Sequence, residues 1–354
     1  MKIFHCTYCE QLVFFENFTC VQCKHTLAYL PELDIVGALV PVEGGEWRSV
    51  QVNQERKYRL CDNYSRENIC NWAIPADEPY SLCQSCRFTQ VVPKLTKPTN
   101  RAAWYKLEVA KRRLLYTLMH LGCRVQSKTD DAERGLAFAF LEDEISEGKA
   151  VLTGHVNGLI TINIEEADDA ERERRRQQFH EPYRTLLGHF RHESGHYFWD
   201  RLIKDSSAID VFRECFGDER KDYQRALQEH YEQGPPQDWQ SRYVSAYAAS
   251  HPWEDWAETW AHYLHMTDAL ETAVACGLSL RPRRPDEPGL KREINITDRD
   301  PESFNRLIDG WLSLTYVLNN LNRSLGLQDA YPFVLSTAAI DKLRLVHATV
   351  CQSS

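Results

Sequence analysis

The 354-residue sequence lacks several features that would assign it to a broad class of protein. It has no run of about 18 apolar residues, so no transmembrane helix is predicted. Lys and Arg number 42 against 51 Asp and Glu, and the net charge of −9 argues against a general electrostatic attraction to nucleic acid or anionic membranes. The first residues, Met1 to Cys6, lack the apolar core of a secretory signal, and a cytoplasmic location is therefore expected.

Cysteine, by contrast, is concentrated at one end of the chain, since eight of the 12 lie within residues 6–86. In a reducing compartment, clustered cysteines predict metal ligands rather than disulfides. Two pairs with the spacing Cys-x2-Cys, ten residues apart, are typical of a zinc ribbon. The predicted ligands of a first structural zinc are Cys6, Cys9, Cys20 and Cys23, and those of a second are Cys61, Cys70, Cys83 and Cys86. An interleaved pairing of the eight stays open.

Residues 1–95 form the predicted zinc-ribbon module, and a proline-containing stretch at 91–98 predicts a linker to the rest of the chain. The module is nearly neutral, with 10 Lys and Arg against 11 Asp and Glu in residues 1–98. A nucleic-acid-binding module needs an excess of positive charge, so nucleic acid is not the expected partner. We expect the module to support folding or to contact another protein.

Residues 99–354 make up the second predicted domain, which mixes helices with a few strands. Apolar residues at helical spacing predict a helix over 101–121, and alternating apolar residues predict strands over 136–141 and 159–164. From residue 170 onward the pattern is mostly helical. The expected fold class is α+β, with the zinc-ribbon module followed by a mainly helical domain that contains a small sheet.

The most informative segment, residues 192–196, reads His-Glu-Ser-Gly-His and matches the pattern H-E-x-x-H. Residues four apart lie on one face of a helix, so His192 and His196 can bind the same zinc. Glu193 would then lie beside the metal, where it can take a proton from the attacking water and return it to the leaving amine. We expect the strand at 159–164 to be a sheet edge ahead of this helix, where an extended peptide can pair.

A third protein ligand is required, and the best candidate lies on a later predicted helix. The segment 252–264 begins with a proline suited to a first helical turn and carries an apolar stripe of tryptophans. Glu254 and Glu258 lie one turn apart beside that stripe, where buried carboxylates need a compensating metal or imidazole N–H. We assign Glu254 to the metal and Glu258 to a hydrogen bond that orients His192 or His196. The reverse assignment of the two glutamates stays open.

Other residues near the motif are weaker candidates. The metzincin pattern requires glycine and histidine at two positions after the motif that hold Trp199 and Leu202, so that class is excluded. Asp200, four residues after His196, is a candidate acceptor of a hydrogen bond from that imidazole. The competing carboxylates, disfavoured because they lie in a polar and turn-like stretch, are Glu214 and Glu219.

The motif and the later Glu254-x3-Glu258 together resemble the gluzincin class of zinc peptidases. Tyr247, seven residues before Glu254, is spaced as in the toxin-type lethal factor peptidases, and this likeness implies that Tyr247 helps to stabilise the oxyanion. Nearly the whole chain resembles bacterial zinc-binding metallopeptidases with an N-terminal zinc ribbon, which implies a zincin-like fold for the second domain. The segments that carry this likeness are 154–155, 158–163, 166–169, 188–193 and 253–258.

Together these features predict a zinc-dependent metallopeptidase that binds one catalytic and two structural zinc ions and acts on a peptide or protein. Two other functions stay open. One is a non-catalytic zinc-binding regulatory protein, which the intact Glu193 disfavours. The other is a nucleic-acid-associated protease resembling the Spartan-like repair enzymes, which the acidic net charge disfavours.

Overall fold

The computed structural model of the chain describes residues 2–52, 55–143, 151–178, 181, 183–281, 292–293 and 301–353. Short antiparallel strands fill the N-terminal region and helices dominate the rest, which confirms the predicted α+β class. One hydrophobic core lies among the N-terminal strands, and a larger one lies between the long helices and a second sheet.

The N-terminal region is built from antiparallel sheets. Its elements are β1 (Phe4–His5), β2 (Leu12–Val13), β3 (Thr26–Leu30), β4 (Ile35–Pro41), β5 (Trp47–Ser49), β6 (Lys57–Leu60), α1 (Asp62–Ser65), β7 (Ala73–Pro75) and α2 (Gln84–Arg87). β1 pairs with β2, and the other strands form a sheet in the order β3-β4-β5-β6-β7. Tyr29 of β3 contacts Phe15 and Trp72 at ring-centroid distances of 4.9 and 4.8 Å, so aromatic side chains fill this core.

A second sheet supports the helical region. Its strands are β8 (Thr89–Val91), β9 (Ala137–Leu141), β10 (Gly154–Val156) and β11 (Leu159–Asn163), in the order β10-β11-β9-β8. β9 pairs in parallel with both β8 and β11, whereas β10 and β11 form an antiparallel hairpin. β8 lies inside the predicted ribbon module, so the predicted boundary at residue 95 does not separate the two sheets.

The expectation that the strand at 159–164 is a sheet edge is wrong. β11 is flanked by β9 on one side and by β10 on the other, and the edge strands of the described sheet are β10 and β8. The hairpin is closed by Asn157 and Gly158, whose φ angles of 49° and 79° suit a two-residue turn that folds one more strand onto the sheet.

The helices cover this sheet and one another. They are α3 (Pro98–His120), α4 (Asp169–Gln178), α5 (Leu186–Leu202), α6 (Ile209–Phe216), α7 (Tyr223–Gln233), α8 (Pro252–Ala275), α9 (Phe304–Ser324) and α10 (Thr337–Ser353). A short pair, β12 (Ser279–Leu280) and β13 (Arg292–Glu293), lies between α8 and α9 in the chain. Among the described helices, none combines the length and the hydropathy that crossing a bilayer requires.

α3 joins the two regions because it packs into both cores. Its Leu107 and Leu114 are buried in the helical core. Its Tyr116 lies in the N-terminal core, with ring centroids 6.1 Å from Phe4 and 5.4 Å from Phe15. The predicted helix over 101–121 is present as α3 over nearly the same residues. It contributes side chains to both hydrophobic cores rather than to that of the second region alone.

Candidate metal centre

The candidate site lies where the middle of α5 meets the N-terminal half of α8, and each helix has a defined start. The hydroxyl of Thr185 accepts a hydrogen bond from the N–H of Gly188 at 3.0 Å, which caps α5. At α8, the imidazole Nδ1 of His251 accepts the N–H of Trp253 at 3.1 Å, and Pro252 occupies the first turn. These caps fix where each helix begins, and therefore which residues face the site.

Ser194 and Gly195, the two variable positions of the H-E-x-x-H motif, make the contacts that hold α5 against α8. At Gly195 the helices approach so closely that a Cβ atom would lie 2.8 Å from the Cα of Ala257. The indole N–H of Trp256 donates to the Gly195 carbonyl at 3.0 Å, and that of Trp260 donates to the Ser194 hydroxyl at 3.1 Å. Packing through these residues sets the position of the flanking histidines relative to α8.

His192, His196 and Glu254 each bring one ligand atom to a common point, and the three atoms lie within 4.8 Å of one another. Glu254 Oε2 lies 3.0 Å from His192 Nε2 and 3.4 Å from His196 Nε2. Glu254 is only 1% exposed, yet within the described parts of the chain this oxygen has no hydrogen bond of regular geometry. A buried carboxylate oxygen that faces two imidazole nitrogens in this way fits a zinc ion.

Glu258 lies one turn after Glu254 and contacts the first histidine. Its Oε1 is 2.7 Å from His192 Nδ1, and its Oε2 accepts a hydrogen bond from the Ser245 hydroxyl at 2.6 Å. Burial works against ionisation of Glu258, but the hydrogen bond and charge of His192, together with His262 and Ser245, outweigh it and lower the pKa of the carboxyl. An Nδ1–H held by a carboxylate leaves the lone pair of Nε2 for a metal. This is the arrangement that the sequence predicted, with His192 as the oriented imidazole.

Glu193 follows His192 in the chain and is 7% exposed. Burial raises the pKa of its carboxyl, although the neighbouring His192 and His196 oppose the shift. Its Oε2 makes no hydrogen bond to any residue that the structure describes. A buried carboxyl with a raised pKa, adjacent to a metal ligand and not itself one, has the properties of a general base.

Tyr247 lies near the metal centre on the short 3-10 helix Tyr247–Ala249, with its ring centroid 6.0 Å from that of His192. Burial and then the charge of Glu254 raise its pKa well above the ordinary value, so its hydroxyl keeps its proton. The structure therefore brings Tyr247 to the site, as expected.

The predicted hydrogen bond from His196 to Asp200 is not formed. Asp200 lies 3.5 Å from the ammonium group of Lys204 at the helix surface. His196 Nδ1 is buried without a hydrogen-bond partner among the residues described. The short Asp200 side chain faces solvent, whereas the His196 ring turns towards Glu254. The competing carboxylates also lie elsewhere, since Glu219 pairs with Arg213 at 2.6 Å and Glu214 is exposed.

Sequence reasoning missed two aromatic neighbours of the ligands. The hydroxyl of Tyr223 donates to Glu254 Oε1 at 2.6 Å. The ring of Trp253 lies against that of His196, with centroids 3.8 Å apart. Trp253 was recognisable as an apolar residue next to the ligand, but no local pattern connects Tyr223 with Glu254.

His155 of the edge strand also approaches the site, with its ring centroid 6.4 Å from that of His196. Its Nε2 accepts the N–H of Gly158 at 2.9 Å, which fixes the ring within the β10–β11 hairpin. Burial, followed by repulsion from His196, lowers its pKa to about 3. His155 is therefore a neutral residue that lines the site, and its Nε2 is occupied by the Gly158 N–H rather than free to act as a fourth ligand.

The eight N-terminal cysteines assemble into two groups in chain order, and the interleaved pairing is not found. The groups are Cys6, Cys9, Cys20 and Cys23, and Cys61, Cys70, Cys83 and Cys86. Sulfur atoms lie 3.6 Å apart in the pairs Cys6–Cys23, Cys9–Cys20 and Cys70–Cys83. Tetrahedral zinc with Zn–S bonds of about 2.3 Å places its sulfurs at roughly this spacing. Both groups therefore fit a closed four-thiolate site.

The second cysteine group is surrounded by hydrogen-bond donors. Backbone N–H groups of Trp72, Cys83 and Cys86 donate to cysteine sulfurs at 3.3–3.5 Å. Arg112 of α3 is 1% exposed, and its guanidinium makes no hydrogen bond to any described residue. Burial disfavours its charge, but the cysteines and Glu108 outweigh burial and raise its pKa. A buried cation suits a centre whose four thiolates outweigh the charge of one zinc.

Comparison with known proteins gives two family matches that together span most of the chain. The family described as "Putative zinc-binding metallo-peptidase" matches residues 100–349, and the family described as "zinc-ribbon domain" matches residues 3–97. Proteins described as uncharacterized, from Mycobacterium bovis and two strains of Mycobacterium tuberculosis, are each 42% identical to it over 351 residues. These alignments cover 99% of this chain and 95% of each relative. No solved structure matches the chain.

Proposed function

We propose that this chain, which belongs to the family of zinc-binding metallopeptidases, hydrolyses peptide bonds in a peptide or protein substrate. One observation carries the proposal. Three ligand atoms from α5 and α8 meet within 4.8 Å, and a fourth buried residue, Glu193, is adjacent in sequence to a ligand without being one. A site that serves only structure has no use for such a carboxylate beside its metal.

His192, His196 and Glu254 are the residues that would hold the zinc. A zinc ion bound there supplies Lewis acidity, which polarises a peptide carbonyl and acidifies water. Glu193 accepts a proton from the attacking water and then donates it to the leaving amine, because burial has brought its pKa closer to neutrality. Glu258 keeps the His192 ring oriented through Nδ1.

Tyr247 is the proposed donor to the oxyanion. Its hydroxyl stays protonated because burial and the nearby carboxylates raise its pKa. A fixed O–H group near the ligands can stabilise negative charge that develops on the carbonyl oxygen. β10, which carries His155, is the edge strand of the described sheet on this side, and it is proposed to pair with an extended substrate.

The two cysteine groups are proposed to bind structural zinc, because four thiolates leave no coordination position free. The ribbon is proposed to stabilise the chain and to contact protein rather than nucleic acid. A cytoplasmic location stays a prediction from the sequence.

The decisive experiment is the variant Glu193→Gln, with zinc content and peptide cleavage measured on the same samples. We expect about three zinc ions per chain in the wild type and in the variant, since Glu193 is not a ligand. Cleavage of a peptide library, followed by mass spectrometry, should fall by about 10²–10⁴-fold in the variant. Glu219→Gln is the matched control, because it removes a carboxylate charge outside the site and should leave both quantities unchanged.

A wild-type chain that holds all its zinc but cleaves no peptide would contradict the proposal and favour the non-catalytic binding protein. Equal cleavage by Glu193→Gln and by the wild type would show that Glu193 is not the base.

A further inference from the structure

α7 is an unusual neighbour for a metal centre because none of its residues is buried. It lies between two glycines with positive φ, Gly217 at 102° and Gly234 at 77°. Most helices stay in place through an apolar face, but α7 offers none to either hydrophobic core. Its contacts with the site are made instead by Tyr223 in its first turn and by His230 in its last, whose ring centroid lies 6.0 Å from that of Tyr247.

Tyr223 is the residue of α7 that contacts a ligand directly. Its hydroxyl donates to Glu254 Oε1 at 2.6 Å. Its ring is held edge-on by His251 and Trp253, with centroids 5.3 and 5.5 Å away. These two residues lie at the start of α8, so Tyr223 is docked on the turn that carries Glu254.

Because of this hydrogen bond, the two carboxylate oxygens of Glu254 have different partners. Oε1 is occupied by the phenol, while Oε2 faces His192 and His196. A carboxylate can bind zinc through one oxygen or through both, and a hydrogen bond to one oxygen favours binding through the other. A phenol with the ordinary pKa of tyrosine, about 10, is protonated at neutral pH and therefore acts as a donor.

We propose that Tyr223 is a positioning residue that restricts Glu254 to one metal-facing oxygen and so sets the affinity of the centre for zinc. The inference rests on the proposed function, in which Glu254 is a zinc ligand. Because Tyr223 is carried by a helix outside both cores, the orientation of Glu254 depends on an element that is docked through polar and aromatic contacts.

The test uses the full chain with Tyr223→Phe, which keeps the ring and removes only the donor. Zinc affinity of the weakest site, measured by competition with a chromogenic chelator, should fall by about 10–100-fold. With Co²⁺ in that site, the visible absorption should weaken, because release of Oε1 raises the coordination number. Tyr231→Phe is the matched control, since it makes the same change on the same helix at an exposed residue that makes no hydrogen bond to a ligand among the described residues. It should leave the affinity and the spectrum unchanged.

The outcomes separate this inference from the proposal beneath it. A wild-type chain with no zinc beyond the two cysteine groups overturns the proposed function and the inference together. A wild type with a third zinc, and a Tyr223→Phe variant of equal affinity and spectrum, overturns the inference alone. Equal weakening by Tyr231→Phe also overturns it, because the effect would then belong to α7 as a whole.

Discussion

The cysteine groups and the His–Glu centre are buried to a similar degree but differ in the number of ligands that the protein supplies. Each cysteine group brings four sulfurs together, whereas the His–Glu centre brings three atoms together beside Glu193. A closed tetrahedron excludes other molecules, and three ligands leave a position for them. Ligand number, rather than burial, therefore separates the region proposed to stabilise the chain from the region proposed to react.

The two regions also differ in what fixes their geometry. Three of the four ribbon ligand pairs are Cys-x2-Cys turns, so most of these ligands are positioned by local structure, whereas Cys61 and Cys70 lie nine residues apart. The His–Glu centre takes its ligands from two long helices, and its geometry depends on the contact between Gly195 and Ala257. Changes to packing should therefore affect the second kind of site far more than the first.

The largest expected effect comes from breaking a closed site, as in Cys83→Ser. Cys83 is 2% exposed and belongs to the second cysteine group. Structural zinc sites contribute about 10–16 kcal/mol of apparent binding free energy, so loss of a ligand should unfold the ribbon. We expect about one zinc fewer per chain and a clearly lower melting temperature. The control is Cys276→Ser, an exposed cysteine outside both groups, which should change neither. If Cys83→Ser kept the zinc content and the melting temperature of the wild type, the proposed structural role of this site would be contradicted.

Glu254→Ala should affect the His–Glu centre alone, unlike Cys83→Ser. We expect loss of one zinc and of peptide cleavage, with both ribbon zincs retained and a smaller fall in melting temperature than in Cys83→Ser. Glu258→Gln should keep the zinc but weaken its binding by about 10–100-fold, because it only orients His192. If Glu254→Ala kept all its zinc while Glu258→Gln lost one zinc ion, the roles would be reversed. Glu258 would then be the metal ligand, and Glu254 the residue that orients the imidazole.

Gly195→Ala probes the helix contact and should have the smallest effect on the free energy of unfolding. The new Cβ would lie 2.8 Å from the Ala257 Cα, so α5 and α8 must move apart. Overpacking of this kind costs about 1–3 kcal/mol, which urea unfolding can measure. Zinc binding at the His–Glu centre should weaken while the ribbon zincs stay. Gly154→Ala is the control, because its Cβ would meet nothing within 4 Å. Weaker ribbon zinc binding in Gly195→Ala would argue against independent metal sites.

Much of the candidate site could be predicted because its signals are local. The Cys-x2-Cys pairs and residues 192–196 place ligands on single turns, and helical spacing placed Glu254 and Glu258 on one face of α8. The structure brings all of these residues together as expected. The ligand groups are the part of the molecule in which short-range geometry dictates the arrangement.

The features that sequence reasoning missed depend on contacts between distant segments. The position of β11 inside the sheet follows from the hairpin that adds β10, although Asn157-Gly158 is itself a recognisable turn signal. Nothing in the local pattern of Tyr223 connects it with Glu254, because α7 has no buried face to reveal its docking. The Asp200 prediction failed because helical spacing alone does not determine where a short side chain turns.

The pairing of β8 with β9 has a consequence for how this molecule can be divided. The two family matches meet between residues 97 and 100, whereas Phe138 donates its N–H to the carbonyl of Phe88 at 2.8 Å across that boundary. A fragment that starts at residue 100 would strip β9 of a partner strand and expose a row of unpaired backbone groups beside buried aromatic residues. Such an edge recruits other strands, so the isolated peptidase region should self-associate. The second sheet is therefore complete only when both regions are present in one chain.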